Sequence, residues 1–167
     1  MRSMTEENAK AAFAGESQAH MKYLNFAEKA EEEGKENAAR LFKAASYSEQ
    51  VHASNHLQVL NGIASTDDNL AKAASGEKFE VDEMYPAYIA VADLQEEKGA
   101  KQSFHYAFET EKAHLAFYDR ARAAVASGGD APIGELWVCN RCGFTMEGDP
   151  PDKCPLCGNP KVNFVKF

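Results

Sequence analysis

The chain has 167 residues, 44% of them apolar, enough for one sizeable core and a small appendage and too many for a disordered chain. Its net charge of −8 argues against nucleic acid and anionic membranes as partners. No run approaches the roughly 18 apolar residues that span a bilayer, and the N-terminal Met1–Glu7 has no apolar core of a secretory signal, so the expected compartment is the cytoplasm.

Apolar residues at helical spacing, with Ala, Glu and Lys between them, predict a first helix from about Thr5 to Glu33, broken at Gly34. A second runs from about Glu36 to Asn61 and stops at Gly62. Residues 63–79, with Asp67, Asp68, Asn69 and Gly76, read as a polar connection. A third helix begins between Glu80 and Pro86 and ends at Gly99, and a fourth covers Lys101 to Ser127. The expected fold is mainly α: a ferritin-like four-helix bundle with one long crossover over residues 1–127, a linker over 128–134, and a small β domain over 135–167.

All four cysteines lie in that last segment, as Cys139-x-x-Cys142-Gly and Cys154-x-x-Cys157-Gly. Two such pairs can place four thiolates at the corners of a tetrahedron, and the glycines allow the tight turns that aim N–H groups at sulfur. In a reducing compartment this pattern predicts a metal site, iron or zinc, rather than disulfides. About 35 residues cannot bury a core of their own, so the metal would be the domain's main stabiliser.

The helices carry a second set of ligand types. Glu49-Gln-Val-His52 and Glu111-Lys-Ala-His114 each put a carboxylate and an imidazole three residues apart, on one helix face. Both pairs sit within apolar stripes, where a glutamate is costly unless its charge is compensated. Glu16 lies 18 residues before Gly34 and Glu49 lies 15 after it, so the two are level to within about 5 Å. Glu80 and Glu83 offer the matching carboxylates on the third helix. One glutamate from each of two helices and Glu-x-x-His from each of the others is the ligand pattern of carboxylate-bridged di-iron bundles. His105 reads as a surface or packing residue; His20 and His56 are candidates for support around the ligands.

These motifs, with Ala-Phe-Ala-Gly-Glu16-Ser-Gln-Ala and Phe-Glu80-Val-Asp-Glu83-Met-Tyr-Pro, resemble the rubrerythrin family over essentially the whole chain. The resemblance implies a non-haem di-iron centre, a rubredoxin-type iron in the four-cysteine site and peroxidase activity on hydrogen peroxide. It implies Glu49 and Glu111 as bridging carboxylates, Glu16 terminal on one iron, and Glu80 with His114 on the other. Glu83 and His52 would alternate at the first iron, and Tyr23 and Tyr88 would hydrogen-bond the ligand carboxylates. Electrons would come from an external NAD(P)H-linked reductase or a rubredoxin, since the chain has no Gly-x-Gly-x-x-Gly element. A fourth helix running about 20 Å past His114 would hold the cysteines far from their own di-iron centre, which predicts a head-to-tail homodimer. The competing readings are a ferroxidase that handles iron, and a zinc-ribbon interaction module.

Overall fold

The computed structural model describes residues 1–167, which divide into two compact units, Met1–Ala64 and Ser65–Phe167. The first is a hairpin of two long helices, α1 (Ser3–Glu32) and α2 (Glu36–Val59). Small residues form its seam: Ala27, Ala30, Ala39, Ser46 and Ala53 are all buried. The hairpin turns at Gly34, whose φ of 67° is the left-handed conformation glycine adopts without penalty. There the Gly34 N–H reaches Glu31 O at 2.9 Å and the Lys35 N–H reaches Ala30 O at 2.7 Å, closing the end of α1.

The second unit begins with α3 (Thr66–Phe79), a five-residue π-helical turn (Glu80–Met84) and α4 (Tyr85–Leu94). It continues with α5 (Lys98–Ala126) and a small sheet of β1 (Leu136–Cys139), β2 (Thr145–Glu147) and β3 (Phe164–Lys166). The strands are antiparallel in the order β2-β1-β3. The core of this cysteine-bearing part is Cys139, Cys154 and Phe164, with Trp137, Phe144, Met146 and Leu156 packed around them.

Three local expectations are corrected. Residues 66–79 are helical rather than a connection, because Ser65 caps them: its Oγ accepts from the Asp68 N–H at 3.2 Å and donates to the Asp68 carboxylate at 2.7 Å. The turn after α2 is made by Asn61 (φ 53°) rather than by Gly62, asparagine being the residue that tolerates this conformation next best. The turn after α4 is made by Glu96 (φ 57°), three residues before Gly99.

Pro86 accounts for the π turn. It follows Met84 and Tyr85 inside one helical run, where a proline has no N–H to offer and crowds the preceding turn. The Tyr85 N–H instead reaches back five residues to Glu80 O, widening the helix there. No helix of the chain is long and apolar enough to cross a membrane.

Candidate metal centres

The four cysteines converge. Cys139 Sγ lies 3.7 Å from Cys157 Sγ, and Cys142 Sγ lies 3.7 Å from Cys154 Sγ. A metal about 2.3 Å from each of four tetrahedral sulfurs would space them about 3.8 Å apart, so the cage already has the right size. Both knuckle glycines, Gly143 and Gly158, have positive φ (79° and 73°). Burial pushes the Cys139 thiol up, but N–H donors of Arg141 and Cys142 and the Asn159 amide outweigh it and bring it down to about 7. Burial also raises the Cys142 and Cys154 thiols, against N–H donors of Phe144 for the first and of Cys157 and Leu156 for the second. These donors face the sulfurs, and they are what a thiolate site requires.

Two further triads present oxygen and nitrogen. In the hairpin unit Glu16 from α1 meets Glu49 and His52 from α2, all three ligand atoms within 4.8 Å of one another. His52 Nδ1 is 2.9 Å from Glu49 Oε2 and 3.9 Å from Glu16 Oε1. The turn at Gly34 puts these residues level, as their spacing predicts. Below them His20 serves the hairpin itself: Ser46 Oγ donates to His20 O at 2.9 Å, and His20 Nδ1 lies 3.0 Å from Ser46 O.

In the second unit Glu77 of α3 joins Glu111 and His114 of α5. His114 Nδ1 is 2.7 Å from Glu111 Oε2 and 3.7 Å from Glu77 Oε1. Burial, followed by the hydrogen bond and the charge of Glu111, pushes the Glu77 carboxyl up to about 7. Burial raises Glu111 as well. Two carboxylates that close together with one imidazole call for a cation or a shared proton.

Glu77 is a candidate ligand that the sequence motifs did not single out. It stands one residue after Gly76, inside the stretch read as a connection, and three before Glu80. Glu80 is half-buried and lines the same cleft as Glu77, Glu111, His114 and Tyr118. Glu83 is exposed and stands apart from the triad. The π turn gives the reason: in a wider helix three residues fall further short of a full revolution, so Glu83 is carried off the face that Glu77 and Glu80 share.

The tyrosines divide similarly. Tyr23 packs against Phe26 and Phe42, and Tyr88 is 47% exposed and packs against Tyr85 and Phe104. The phenols near the second triad are Tyr85 and Tyr118. Burial, then the charges of Glu80, Glu111 and Glu77, raises Tyr85; burial, then Glu77 and Glu111, raises Tyr118. Both therefore remain O–H donors beside the carboxylates.

The cysteine-bearing part folds back along α5 rather than standing beyond its end. Glu147 of β2 pairs with Arg120 of α5 and accepts the Gly134 N–H of the linker at 2.6 Å. Thr145 Oγ lies 2.9 Å from His114 Nε2. One cleft of about 330 Å³ is lined by Glu111 and His114 from α5 together with Arg141, Cys142 and Gly143 from the first knuckle. The expectation that α5 keeps the cysteines far from their own chain's carboxylates does not hold, because the linker reverses direction within a few residues.

Comparison with known proteins agrees with this chemistry. Residues 7–122 match the rubrerythrin family and residues 137–165 match its rubredoxin-like domain. The chain is 40% identical to rubrerythrin-2 of Clostridium acetobutylicum over 98% of its own length and 97% of that protein's. It is 34% identical to nigerythrin of Nitratidesulfovibrio vulgaris, covering 98% and 86% of the two chains. Solved structures of nigerythrin in mixed-valence and all-ferrous states match with a TM-score of 0.55 at the same identity and coverage. The chain belongs to the rubrerythrin family, which unites a di-iron centre and a rubredoxin-like iron site in one polypeptide.

Proposed function

We propose that the protein is a non-haem di-iron peroxidase that reduces hydrogen peroxide to water, with electrons entering through the iron of the four-cysteine site. The observation that carries this reading is the shared cleft in the second unit, where Cys142 and Gly143 line the same space as Glu111 and His114. A site dedicated to one-electron entry placed against a carboxylate–histidine triad suits a reductase. A ferroxidase needs no such donor, and a zinc-ribbon interaction module needs no triads.

The irons would supply two electrons at once and an oxygen clamp; the overall change is H2O2 + 2 e⁻ + 2 H⁺ → 2 H2O. Glu16, Glu49 and His52 would hold one iron; Glu77, Glu111 and His114 the other, with Glu80 as a further carboxylate beside it. Cys139, Cys142, Cys154 and Cys157 would hold the third. The Tyr85 and Tyr118 hydroxyls, kept protonated by burial and by neighbouring carboxylates, are the donors that would hydrogen-bond peroxide beside the triad.

An external NAD(P)H-linked reductase or a rubredoxin would refill the thiolate iron, in a cytoplasm that keeps the four cysteines reduced. Homodimer formation belongs to the same reading through the family resemblance; bringing cysteines to carboxylates does not require it, since they adjoin within one chain. The test is donor oxidation: iron-loaded protein with reduced rubredoxin should oxidise it only when peroxide is added. Donor oxidation that ignores peroxide, or that requires free Fe(II), contradicts the proposal.

A further inference from the structure

Metal-binding histidines need their ring held so that one nitrogen offers a lone pair, and the other nitrogen's hydrogen bond decides which one. In the second unit that partner comes from the cysteine-bearing part. His114 Nδ1 faces Glu111 and Glu77, and its Nε2 faces Thr145 Oγ at 2.9 Å.

Thr145 leaves little choice of direction. It is buried at 7% exposure, and its Oγ also lies 3.0 Å from Gly143 O. A carbonyl only accepts, so the single hydroxyl proton goes to Gly143. The remaining capacity of Oγ is as an acceptor, and His114 must therefore carry its proton on Nε2. That leaves Nδ1 free of its proton whenever a cation replaces it among the carboxylates. Gly143 is itself fixed, its N–H donating to Cys139 O at 2.9 Å, and it directly follows Cys142.

We infer that Thr145 is a positioning residue for the metal centre: its hydroxyl, anchored on the Gly143 carbonyl of the cysteine knuckle, accepts a hydrogen bond from the Nε2–H of His114 and so turns Nδ1 toward the metal. The inference rests on His114 being a ligand, as proposed above. It makes one buried hydroxyl couple the conformation of the Cys142 knuckle to the basicity and orientation of a ligand 31 positions earlier in the chain. Serine can replace it; valine, of the same shape, cannot, and would leave both the Nε2 proton and the Gly143 carbonyl without their partner.

The experiment uses the full chain, labelled with ¹⁵N-histidine and loaded with Zn(II), which is diamagnetic at every site. In the wild type, the His114 Nδ1 resonance is expected to move to its metal-bound position on zinc addition, with an Nε2 proton that exchanges slowly with water. Thr145→Ser should preserve both features. Thr145→Val should speed exchange of the Nε2 proton at least about tenfold and weaken zinc at this triad by about 10- to 100-fold, the usual effect of losing an outer partner of a ligand. Unchanged Nε2 exchange and zinc affinity in Thr145→Val would overturn the role of Thr145 while leaving His114 a ligand. A wild-type Nδ1 resonance that does not respond to zinc would overturn both, and with them the ligand role of His114.

Discussion

Arg120 on α5 pairs with Glu147 on β2, the strand that also carries Thr145 to His114, and the same Glu147 carboxylate receives the Gly134 N–H of the linker. One acidic side chain thus ties helix, linker and sheet together. An exposed ion pair such as this one is screened by solvent and adds little to global stability. Its value here is directional. We expect Glu147→Ala to leave the thermal midpoint within about 3 °C of wild type while lowering hydrogen-exchange protection of β1 and β2 amides. Unchanged protection in those strands would show that the pair does not hold them.

Glu77 and Glu83 make opposite predictions. Glu77→Ala removes a carboxylate whose oxygen is 3.7 Å from His114 Nδ1. It should weaken metal at that triad by at least about 100-fold, more than the loss of an outer partner does. Glu83→Ala, at an exposed position beyond the π turn, should leave that affinity within about threefold. Anaerobic Fe(II) titration of the two variants measures both. Equal losses would mean that the π turn does not separate the two residues.

The pH dependence follows from Glu77, which burial and Glu111 push up to about 7. In the metal-free protein the folded state then holds a proton that the unfolded chain releases. The stability this gives is complete below the ordinary carboxylate range and is lost as pH rises through about 7. A metal must displace that proton, so affinity at the triad should fall about tenfold per pH unit below 7 and level off above it. Competition titrations with Zn(II) at several pH values would show this; a flat profile from about pH 5.5 to 8 contradicts it.

Glu96 closes α4 with φ 57°, a conformation that costs a side-chain-bearing residue about 1 kcal/mol, and it places a negative charge at the negative end of the helix. Glu96→Gly should therefore raise stability by roughly 0.5–1 kcal/mol, read from chemical denaturation with an unchanged m-value. A loss of stability would mean that the glutamate side chain makes a compensating contact.

What could be read in the chain depended on the range of the signal. Glu49 with His52 and Glu111 with His114 are three residues apart, and the helix alone brings each pair together. The four cysteines needed only two knuckles and their glycines. Glu16 could be levelled with Glu49 because a single tight turn at Gly34 separates them. Glu77 was hidden because Gly76 and three acidic or amide residues after Ser65 resemble a loop by composition. The sign that it is helical was local all the same: Ser65 and Asp68 have the spacing of a cap. The π turn at Glu80–Met84 was not legible, since Pro86 announces a disturbance without saying how the helix absorbs it, and this turn sets the exposed Glu83 apart from Glu77 and Glu80. The return of β2 onto α5 depends on contacts between residues such as His114 and Thr145, 31 positions apart, for which no periodicity exists.

In the proposed reaction electrons pass from the iron of the four-cysteine site to peroxide at the carboxylate–histidine centre. The most direct measurement mixes fully reduced protein carrying three irons per chain with peroxide and follows the iron–thiolate absorbance in a stopped-flow instrument. The thiolate iron should be oxidised within the time of peroxide consumption, and Glu111→Ala should abolish this while the thiolate site stays loaded. Peroxide consumption that leaves the thiolate iron reduced would contradict the proposed reaction.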